Sequence, residues 1–348
     1  MQTKETFSPG KKIIYSLGMI AFTAFSALAV AETFLRIFLP QQEDMQWHLS
    51  DARYGFAMKK NFHQNYRYIG SDFSMEVKTN SMGLRDKEYD FGSLGQKRVL
   101  LLGDSFTFGY GVNVEDNFAS KLAELLNDNG KNWIVINAGH GGWGTLQESL
   151  YANDHFDLFK PDIIVLTFCG NDPSDDLLFS QKRHDSEKGI FPFPGKVFIR
   201  QHSHLYRFIF RTYKVLSNRW TIEKKLADVG NREEVYIDEQ SGSVITAEDW
   251  KITLGRINAL QYDFLKFNPN GILLIQASAP LDKNIRQHLS SLSNGSNLFY
   301  VDLYDEVKPL QLGQMRLPYD GHWSPLLHSI AAKKLFKMIT RSSSSLQR

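Results

Sequence analysis

The sequence contains very little cysteine and carries almost no net charge. Cys169 is the single cysteine among 348 residues, which excludes an intrachain disulfide framework and a cysteine-based zinc site. The formal net charge of +2 is too small to indicate a nucleic-acid partner, and no long run of Lys and Arg occurs. The sequence also lacks an HExxH motif, a Walker-type GK[ST] and a GxGxxG after a predicted strand. We therefore expect no metal site and no cofactor.

The composition is that of a folded protein. Hydrophobic residues make up 42% of the chain and charged residues 22%, which is enough to bury a core and excludes a disordered chain. At 348 residues, the length suits one large domain or two modest ones.

The amino-terminal region contains one long uncharged segment. Ile13 to Ala31 carries no formal charge and follows Lys11 and Lys12. Its length is close to the roughly 20 apolar residues that span a bilayer as a helix. Because lysines before a membrane helix favour the cytoplasmic side, the pattern predicts an exported chain after about Pro40. This places the membrane among the predicted partners.

A cleaved signal peptide is the alternative for the same segment. Ala27-Leu28-Ala29 and Ala29-Val30-Ala31 both fit the small-x-small pattern that precedes cleavage. The apolar segment is longer than the usual core of about 7 to 15 residues, and apolar residues resume at Phe34. We therefore favour a retained single-pass anchor. Both alternatives export the remainder of the chain to the periplasmic or extracellular side.

The central part of the chain alternates between buried strands and helices. Apolar runs that end in turn residues predict strands, and apolar residues at helical spacing predict the helices between them. This alternation is the signature of a parallel sheet with helices on both faces, so the expected fold class is α/β. The predicted strands are Arg98 to Gly103, Trp133 to Asn137, Asp162 to Phe168, Gly271 to Ser278 and Leu298 to Leu303, and the predicted helices are Asp116 to Leu126, Ala247 to Phe267 and Ser324 to Ile339.

These elements predict four regions and one insertion. An amino-terminal stub and anchor precede an irregular, β-rich lead-in, in which Arg85 and Asp86 are interpreted as an ion pair or turn. The insertion is basic and aromatic, which suits a lid, a substrate wall or a solvated subdomain. The predicted regions are 1–40 for the anchor, 41–96 for the lead-in, 97–341 for the main domain with its insertion at about 173–246, and 342–348 for a flexible tail.

Four polar loops follow the predicted strands. They contain Gly103-Asp104-Ser105, the glycine-rich segment from Ala138 to Gly144, Gly170-Asn171-Asp172, and Asp320-Gly321-His322. In a parallel sheet such loops meet at the carboxyl edge, where ligands bind. Acyl transfer requires a nucleophile, a base, a group that orients the base, and donors for the oxyanion.

Each of these roles has a candidate residue. Ser105 is the predicted nucleophile, His322 the general base and then the general acid, and Asp320 the group that holds the imidazole tautomer. The expected oxyanion donors are the main-chain N–H groups of Ser105 and of a glycine in the second loop, and the Asn171 side chain. An α/β-hydrolase elbow is disfavoured because Thr107 stands where that motif needs glycine.

With these four loops, the chain resembles the SGNH/GDSL hydrolase family. The resemblance rests on GDSFTFG, NAGHGGWGT, GND and DGHWSP in that order, between about Arg98 and Ile339. It implies a flavodoxin-like three-layer α/β sandwich and an esterase activity. By position, the family's serine, asparagine and histidine correspond to Ser105, Asn171 and His322.

Two positions depart from a simple match to the family. The family glycine is assigned to Gly142. Gly139 or Gly141 would take its place if this loop were aligned with the family motif in a different register. Many members place the acid three residues before the histidine, where this chain has Tyr319, so the acid is assigned to Asp320. The shorter spacing is similar to that of exported members that look like polysaccharide acetylesterases.

Three functional hypotheses follow. The first is an exported serine esterase that hydrolyses or transfers an acyl group, O-acetyl above all, on a cell-surface glycan. The second is a lipase, thioesterase or acyltransferase that acts on lipid at the membrane. The third is a non-catalytic glycan-binding scaffold, against which the intact Ser105, Asp320 and His322 argue. The sequence leaves the oligomeric state open.

Overall fold

A computed structural model describes most of the chain as two compact units. The described residues are 9–42, 45–67, 73–92, 95–128, 132–184, 195–213, 216, 235–237, 244–293, 297–318 and 321–345. The first unit comprises 1–44 and 189–221, and the second comprises 45–188 and 222–348.

The chain forms helices in both units and strands in the second. The helices are α1 (Pro9–Phe38), α2 (Ser105–Phe108), α3 (Phe118–Asn127), α4 (Thr145–Phe159), α5 (Asp172–His184), α6 (Lys196–His202), α7 (204–213), α8 (Ala247–Phe267), α9 (Lys283–Leu292), α10 (Tyr304–Val307), α11 (Leu312–Met315) and α12 (Pro325–Ser345). The strands are β1 (His48–Asp51), β2 (Gly55–Met58), β3 (His63–Arg67), β4 (Ser74–Lys78), β5 (Lys97–Gly103), β6 (Trp133–Asn137), β7 (Ile163–Phe168), β8 (Val235–Ile237), β9 (Val244–Thr246), β10 (Ile272–Ala277) and β11 (Leu298–Tyr300).

A five-stranded parallel sheet forms the centre of the second unit. Its strand order is β11-β10-β7-β5-β6, with every pair of neighbours parallel. This is the doubly wound order 2-1-3-4-5 of flavodoxin-like folds. The predicted α/β class and sheet are therefore confirmed. The carboxyl ends of β5, β6 and β7 lie side by side at one edge, so the loops that follow them are neighbours.

Both faces of the sheet are covered by helices, and successive side chains of each strand point to opposite faces. On β5, Val99 and Leu101 join a cluster with residues of α3 and α12, while Leu100 and Leu102 join a cluster with residues of α4 and α8. A strand that is covered on both sides needs an unbroken apolar run, which explains the sequence VLLL.

The lead-in consists of two antiparallel hairpins, β1–β2 and β3–β4. Trp47, Tyr66 and Met75 from this region are buried in one cluster with Phe108 and Tyr110, which follow β5. The hairpins therefore pack on the segment that carries Ser105.

Arg85 and Asp86, interpreted as an ion pair or turn, lie in a bend in which the Asp86 N–H donates to the Leu84 carbonyl at 2.8 Å. The buried Arg85 guanidinium donates to the main-chain oxygens of Glu76, Phe108, Gly109 and Val112. An Asp86 carboxylate oxygen accepts hydrogen bonds from the Tyr89 hydroxyl and the Asn137 N–H. A guanidinium offers five N–H donors, so one arginine can hold several carbonyl groups at once.

The last helix is longer than the predicted Ser324 to Ile339. Helix α12 continues to Ser345, past the predicted start of the tail at residue 342. Serine costs only about 0.5 kcal/mol relative to alanine in a helix, so a short serine run does not end one. Of the predicted insertion at 173–246, the described parts include α5, α6, α7, β8 and β9. Residues 185–194, 214–215, 217–234 and 238–243 lie outside the described residues.

Candidate active site

Ser105 is the first residue of the short helix α2, directly after β5. Asp104 caps this helix, since its Oδ1 accepts a hydrogen bond from the Phe106 N–H at 3.0 Å. Gly103 has a φ of +149°, and a Cβ there would lie 2.2 Å from Thr107 Oγ1. Only glycine fits this position, so the tight exit from the strand is built into the sequence. The exit leaves Ser105 half-buried at the carboxyl edge of the sheet.

His322 lies against Ser105. The distance between His322 Nε2 and Ser105 Oγ is 2.7 Å, although the two residues are 217 positions apart in the chain. This separation is within normal hydrogen-bond range for a nucleophile and its base.

The loop that carries His322 is fixed by its neighbours. The His322 carbonyl accepts a hydrogen bond from the Leu317 N–H at 2.9 Å, and Trp323 Nε1 donates to the Ser278 carbonyl at 2.6 Å. Trp323 is buried and packs edge-on against Phe106. The histidine is therefore positioned by backbone and core contacts on both sides.

Two aromatic rings flank the His322 imidazole. The ring centroids of Phe106 and Tyr110 lie 4.9 and 4.8 Å from that of His322. Tyr110 belongs to the segment whose carbonyl groups Arg85 holds, so the buried arginine supports one wall of the site. The rings restrict the rotation of the imidazole and shield it from water.

The predicted acid cannot be placed in the same way. Asp320 and Tyr319 both lie outside the described residues, so the role of Asp320 stays a prediction. The carboxylate of Asp104 lies near the pair, with Oδ2 at 3.4 Å from Ser105 Oγ. Burial raises the pKa of Asp104, while the Phe106 N–H and the charge of His322 act in the opposite direction.

The glycine-rich second loop packs directly against α2. A Cβ at Gly139 would lie 2.2 Å from the Phe108 nitrogen, so this glycine allows the two segments to touch. A Cβ at Gly141 would lie 3.8 Å from the Ser105 Cβ, whereas Gly142 is exposed, has a φ of +86° and neighbours Phe56. The loop therefore reaches Ser105 through Gly141, and Gly142 follows at the rim.

His140 in this loop is a packing residue. Its ring stacks on Trp143 at 3.7 Å, and burial lowers its pKa to about 3. His328 on α12 is also buried, and its Nδ1 accepts a hydrogen bond from the Phe118 N–H. Among the described residues, no group of three His, Cys, Asp or Glu side chains is arranged to hold a metal ion.

The third loop contributes Asn171 and Asp172. Asn171 is half-buried and donates from Nδ2 to Asp175 Oδ2 at 2.6 Å. Asp172 Oδ2 accepts hydrogen bonds from Thr145 Oγ1 and the Cys169 N–H, so it ties the third loop to the start of α4. Asp104 and Asp172 thus each support their own loop by hydrogen bonds.

Buried carboxyl groups lie behind these loops. Asp176 pairs with Arg256 at 2.5 Å and accepts a hydrogen bond from the Leu146 N–H. Glu148 is fully buried, and neither of its oxygens has a hydrogen-bond partner among the described residues. Burial raises the pKa of Glu148 well above its usual value, and the charges of Asp104 and Asp176 raise it further. Both effects favour the neutral form of the side chain.

Sequence reasoning missed Arg85, Phe106 and Tyr110 as contributors to the site. The partners of Arg85 are main-chain carbonyl groups, which leave no trace in a sequence pattern. The two aromatic residues stand in the segment FTFGY directly after Ser105. A cluster of aromatic residues beside a candidate nucleophile was the available signal.

The family model described as GDSL-like lipase/acylhydrolase matches residues 101–329. No curated protein matches the chain.

Several solved structures are similar in fold at low identity. The Clostridium thermocellum family 3 carbohydrate esterase is 15% identical with a TM-score of 0.42, over 72% of this chain and 98% of that chain. A two-domain esterase active on acetylated mannans is 13% identical with a TM-score of 0.41, over 72% and 50%. The psychrotrophic esterase EstA from a Pseudoalteromonas species is 11% identical with a TM-score of 0.40, over 70% and 97%.

Proposed function

Since the chain belongs to the GDSL-like lipase/acylhydrolase family and is an ester-bond hydrolase, we propose that Ser105 is its nucleophile and His322 its general base. The 2.7 Å contact between His322 Nε2 and Ser105 Oγ carries this proposal. A serine hydroxyl is a weak nucleophile until an adjacent base takes its proton.

The reaction proceeds in two steps. Ser105 Oγ attacks the ester carbonyl as His322 takes the hydroxyl proton, and His322 then gives that proton to the departing alcohol. Water attacks the resulting acyl-enzyme with His322 again as the base, which releases the acid and regenerates Ser105. Asp320 orients the imidazole and stabilises its protonated form, as the motif position predicts.

Main-chain and amide donors stabilise the oxyanion in this proposal. The Ser105 and Gly142 N–H groups and the Asn171 amide are the donors, and each such donor contributes on the order of 3 kcal/mol. Asn171 donates one N–H to Asp175, and an amide nitrogen carries two. The Asp175 contact thus orients Asn171 and leaves it with a second donor.

The proposed substrate is an O-acetyl group on a cell-surface glycan. Ser105 and His322 are half-buried, and Gly142 is exposed, which suits a bulky alcohol with a small acyl group. Helix α1 has the length and apolar composition to cross a membrane and lies at the amino terminus. A retained anchor with lysines on its cytoplasmic side would place the catalytic unit outside, where envelope glycans occur.

The test compares the full chain with Ser105→Ala on an activated acetyl ester. We expect the variant to lose at least about 10³-fold in kcat, because the nucleophile is absent. Ser290→Ala, which removes an exposed hydroxyl on α9, serves as the matched control and should retain full turnover. Equal turnover by Ser105→Ala and the wild type would remove Ser105 from the mechanism.

Esters of increasing acyl length test the substrate. Highest kcat/KM on acetyl and a decline with chain length support the glycan O-acetyl proposal. A strong preference for long chains would replace it with a lipid substrate. Binding of an acetylated glycan without hydrolysis, unchanged in Ser105→Ala, would instead indicate a binding protein.

A further inference from the structure

The first unit carries an apolar helix face that is open to solvent. On α7, Ile209 and Tyr213 are 57% and 58% exposed and lie four residues apart, hence on the same side of the helix. Phe208 and Phe210 flank them and are also exposed. Contiguous exposed apolar surface of this kind marks a site that binds a membrane, a protein partner or a ligand.

The start of α7 is fixed to the carboxyl-terminal part of α1 by a half-buried carboxylate. The Glu32 carboxylate accepts hydrogen bonds from Ser203 Oγ at 2.8 Å, the His204 N–H at 3.0 Å and the Leu205 N–H at 2.8 Å. The first N–H groups of a helix have no partner within the helix, and a negative charge there is stabilising. Glu32 therefore acts as a cap that one helix supplies to the other.

The polar side of α7 is held at the same place. Arg207 and Arg211, one helical turn apart, both donate to the Gln42 carbonyl, at 3.3 and 2.9 Å. The Gln41 N–H donates to His204 Nδ1 at 2.8 Å. These contacts turn the arginines toward the chain that leaves α1, and they leave Ile209 and Tyr213 on the outside.

The position of Glu32 defines the depth of this arrangement. The uncharged run Ile13 to Ala31 has nineteen residues, which as a helix extends about 28 Å. The hydrocarbon core of a bilayer is about 30 Å thick. A charge at Glu32 thus falls at the boundary between hydrocarbon and headgroups, and α7 begins there.

From these contacts we infer that α7 is an interfacial helix that binds the bilayer surface beside its own membrane span. Ile209, Tyr213 and the two phenylalanines enter the boundary between headgroups and acyl chains, where aromatic side chains are favoured. Arg200 and His202, which are exposed on α6, face anionic lipid headgroups. The inference rests on the proposed retained anchor and adds a second membrane contact to it.

The experiment places one fluorophore at a time on the full chain in lipid nanodiscs. An environment-sensitive probe is attached to Ile209→Cys, and the same labelled protein in nanodiscs without spin-labelled lipid is the control. Ala24→Cys, within α1, reports whether the span is inserted. Cys169 is buried with a strongly raised thiol pKa, so the wild type should take up no label. Quenching by lipids spin-labelled at the headgroup or deep in the acyl chain measures depth.

We expect strong quenching of the probe at position 24 by deep labels and of the probe at position 209 by headgroup labels, each relative to the same protein in nanodiscs without spin-labelled lipid. We also expect the signal at 209 to strengthen when phosphatidylglycerol is added to phosphatidylcholine. Quenching at 24 with none at 209 would overturn the inference and leave the anchor intact, which would make α7 a surface for a protein partner. No quenching at either position would overturn the anchor and the interfacial helix together.

Discussion

At the scale of single residues, Asp104 and Ser105 divide two tasks that one side chain could have performed. A serine that follows a strand most often caps the next helix. Here Asp104 caps α2 through the Phe106 N–H, which leaves the Ser105 hydroxyl to meet His322. The dipeptide Asp-Ser therefore supplies both the turn and the proposed nucleophile.

Arg85 provides a prediction about stability. Arg85→Met removes the donors that hold four main-chain carbonyl groups, and each buried group left unpaired costs about 1–3 kcal/mol. We expect a loss of at least about 2 kcal/mol in the free energy of unfolding by urea titration. Arg53→Met, which breaks an ion pair with Asp154 at the surface, is the control and should have a much smaller effect. Similar losses in the two variants would contradict the role of Arg85.

Glu148 provides a prediction about pH. Because its pKa is raised in the folded state, Glu148 binds a proton more tightly there than in the unfolded chain. Its contribution to stability is fully present below the usual carboxyl pKa of 4.5 and is lost as pH rises toward the folded-state value. Glu148→Gln should therefore be more stable than the wild type at about pH 8, and the difference should shrink toward about pH 5.

Urea titrations of both proteins across this range measure the difference. Burial lowers the pKa values of His140 and His328, so the stability that they contribute falls as the pH falls, which is opposite to the effect of Glu148. Both histidines are present in the wild type and in Glu148→Gln, so their effect cancels in the comparison. A difference that does not vary with pH would show that Glu148 is not held neutral.

At the scale of elements, the glycines of the second loop control how closely the loop approaches α2. Gly139→Ala would place a Cβ 2.2 Å from the Phe108 nitrogen, a backbone atom that cannot turn aside. We expect a loss of about 1–3 kcal/mol in the free energy of unfolding. Turnover should fall as well, because α2 carries Ser105.

Gly255→Ala is the matched control for this substitution. Gly255 lies within α8, and nothing stands within 4 Å of the Cβ position. Alanine there should raise the free energy of unfolding by up to about 1 kcal/mol, since glycine is a poor helix former. Urea titration of the two variants checks both signs. Destabilisation of equal size at both positions would contradict the packing role of Gly139.

The elements of the sheet could be predicted because each is a short apolar run that ends in turn residues. The run Arg98 to Gly103 corresponds to β5, and Ala247 to Phe267 coincides with α8. The end of α12 could not be predicted in this way, because serine residues suggest a tail but do not break a helix that is already formed. The hairpins of the lead-in gave weak signals, since their alternating pattern is short.

The approach of Ser105 to His322 could also be predicted, because both stand in loops at one edge of a parallel sheet. The contacts of Arg85 could not, since they are made to carbonyl groups that any residue carries. The aromatic walls at Phe106 and Tyr110 depend on how the α2 segment turns, which the sequence pattern does not define.

At the scale of the whole molecule, the fold brings together loops that are far apart in the chain. The loops after β5, β6 and β7 meet at one edge, and the loop before α12 adds His322 from 217 residues away. The family match over residues 101–329 covers this assembly. The amino-terminal helix α1 lies outside it and belongs to the first unit with 189–221.

The central claim is that Ser105 is activated by His322, and covalent labelling tests it most directly. A fluorophosphonate ester, followed by peptide mapping with mass spectrometry, should modify Ser105 in the wild type and leave Ser105→Ala unmodified. His322→Ala should label at least about 10³-fold more slowly, because the base that takes the serine proton is missing. Modification at another residue, or labelling of His322→Ala at the wild-type rate, would contradict the account.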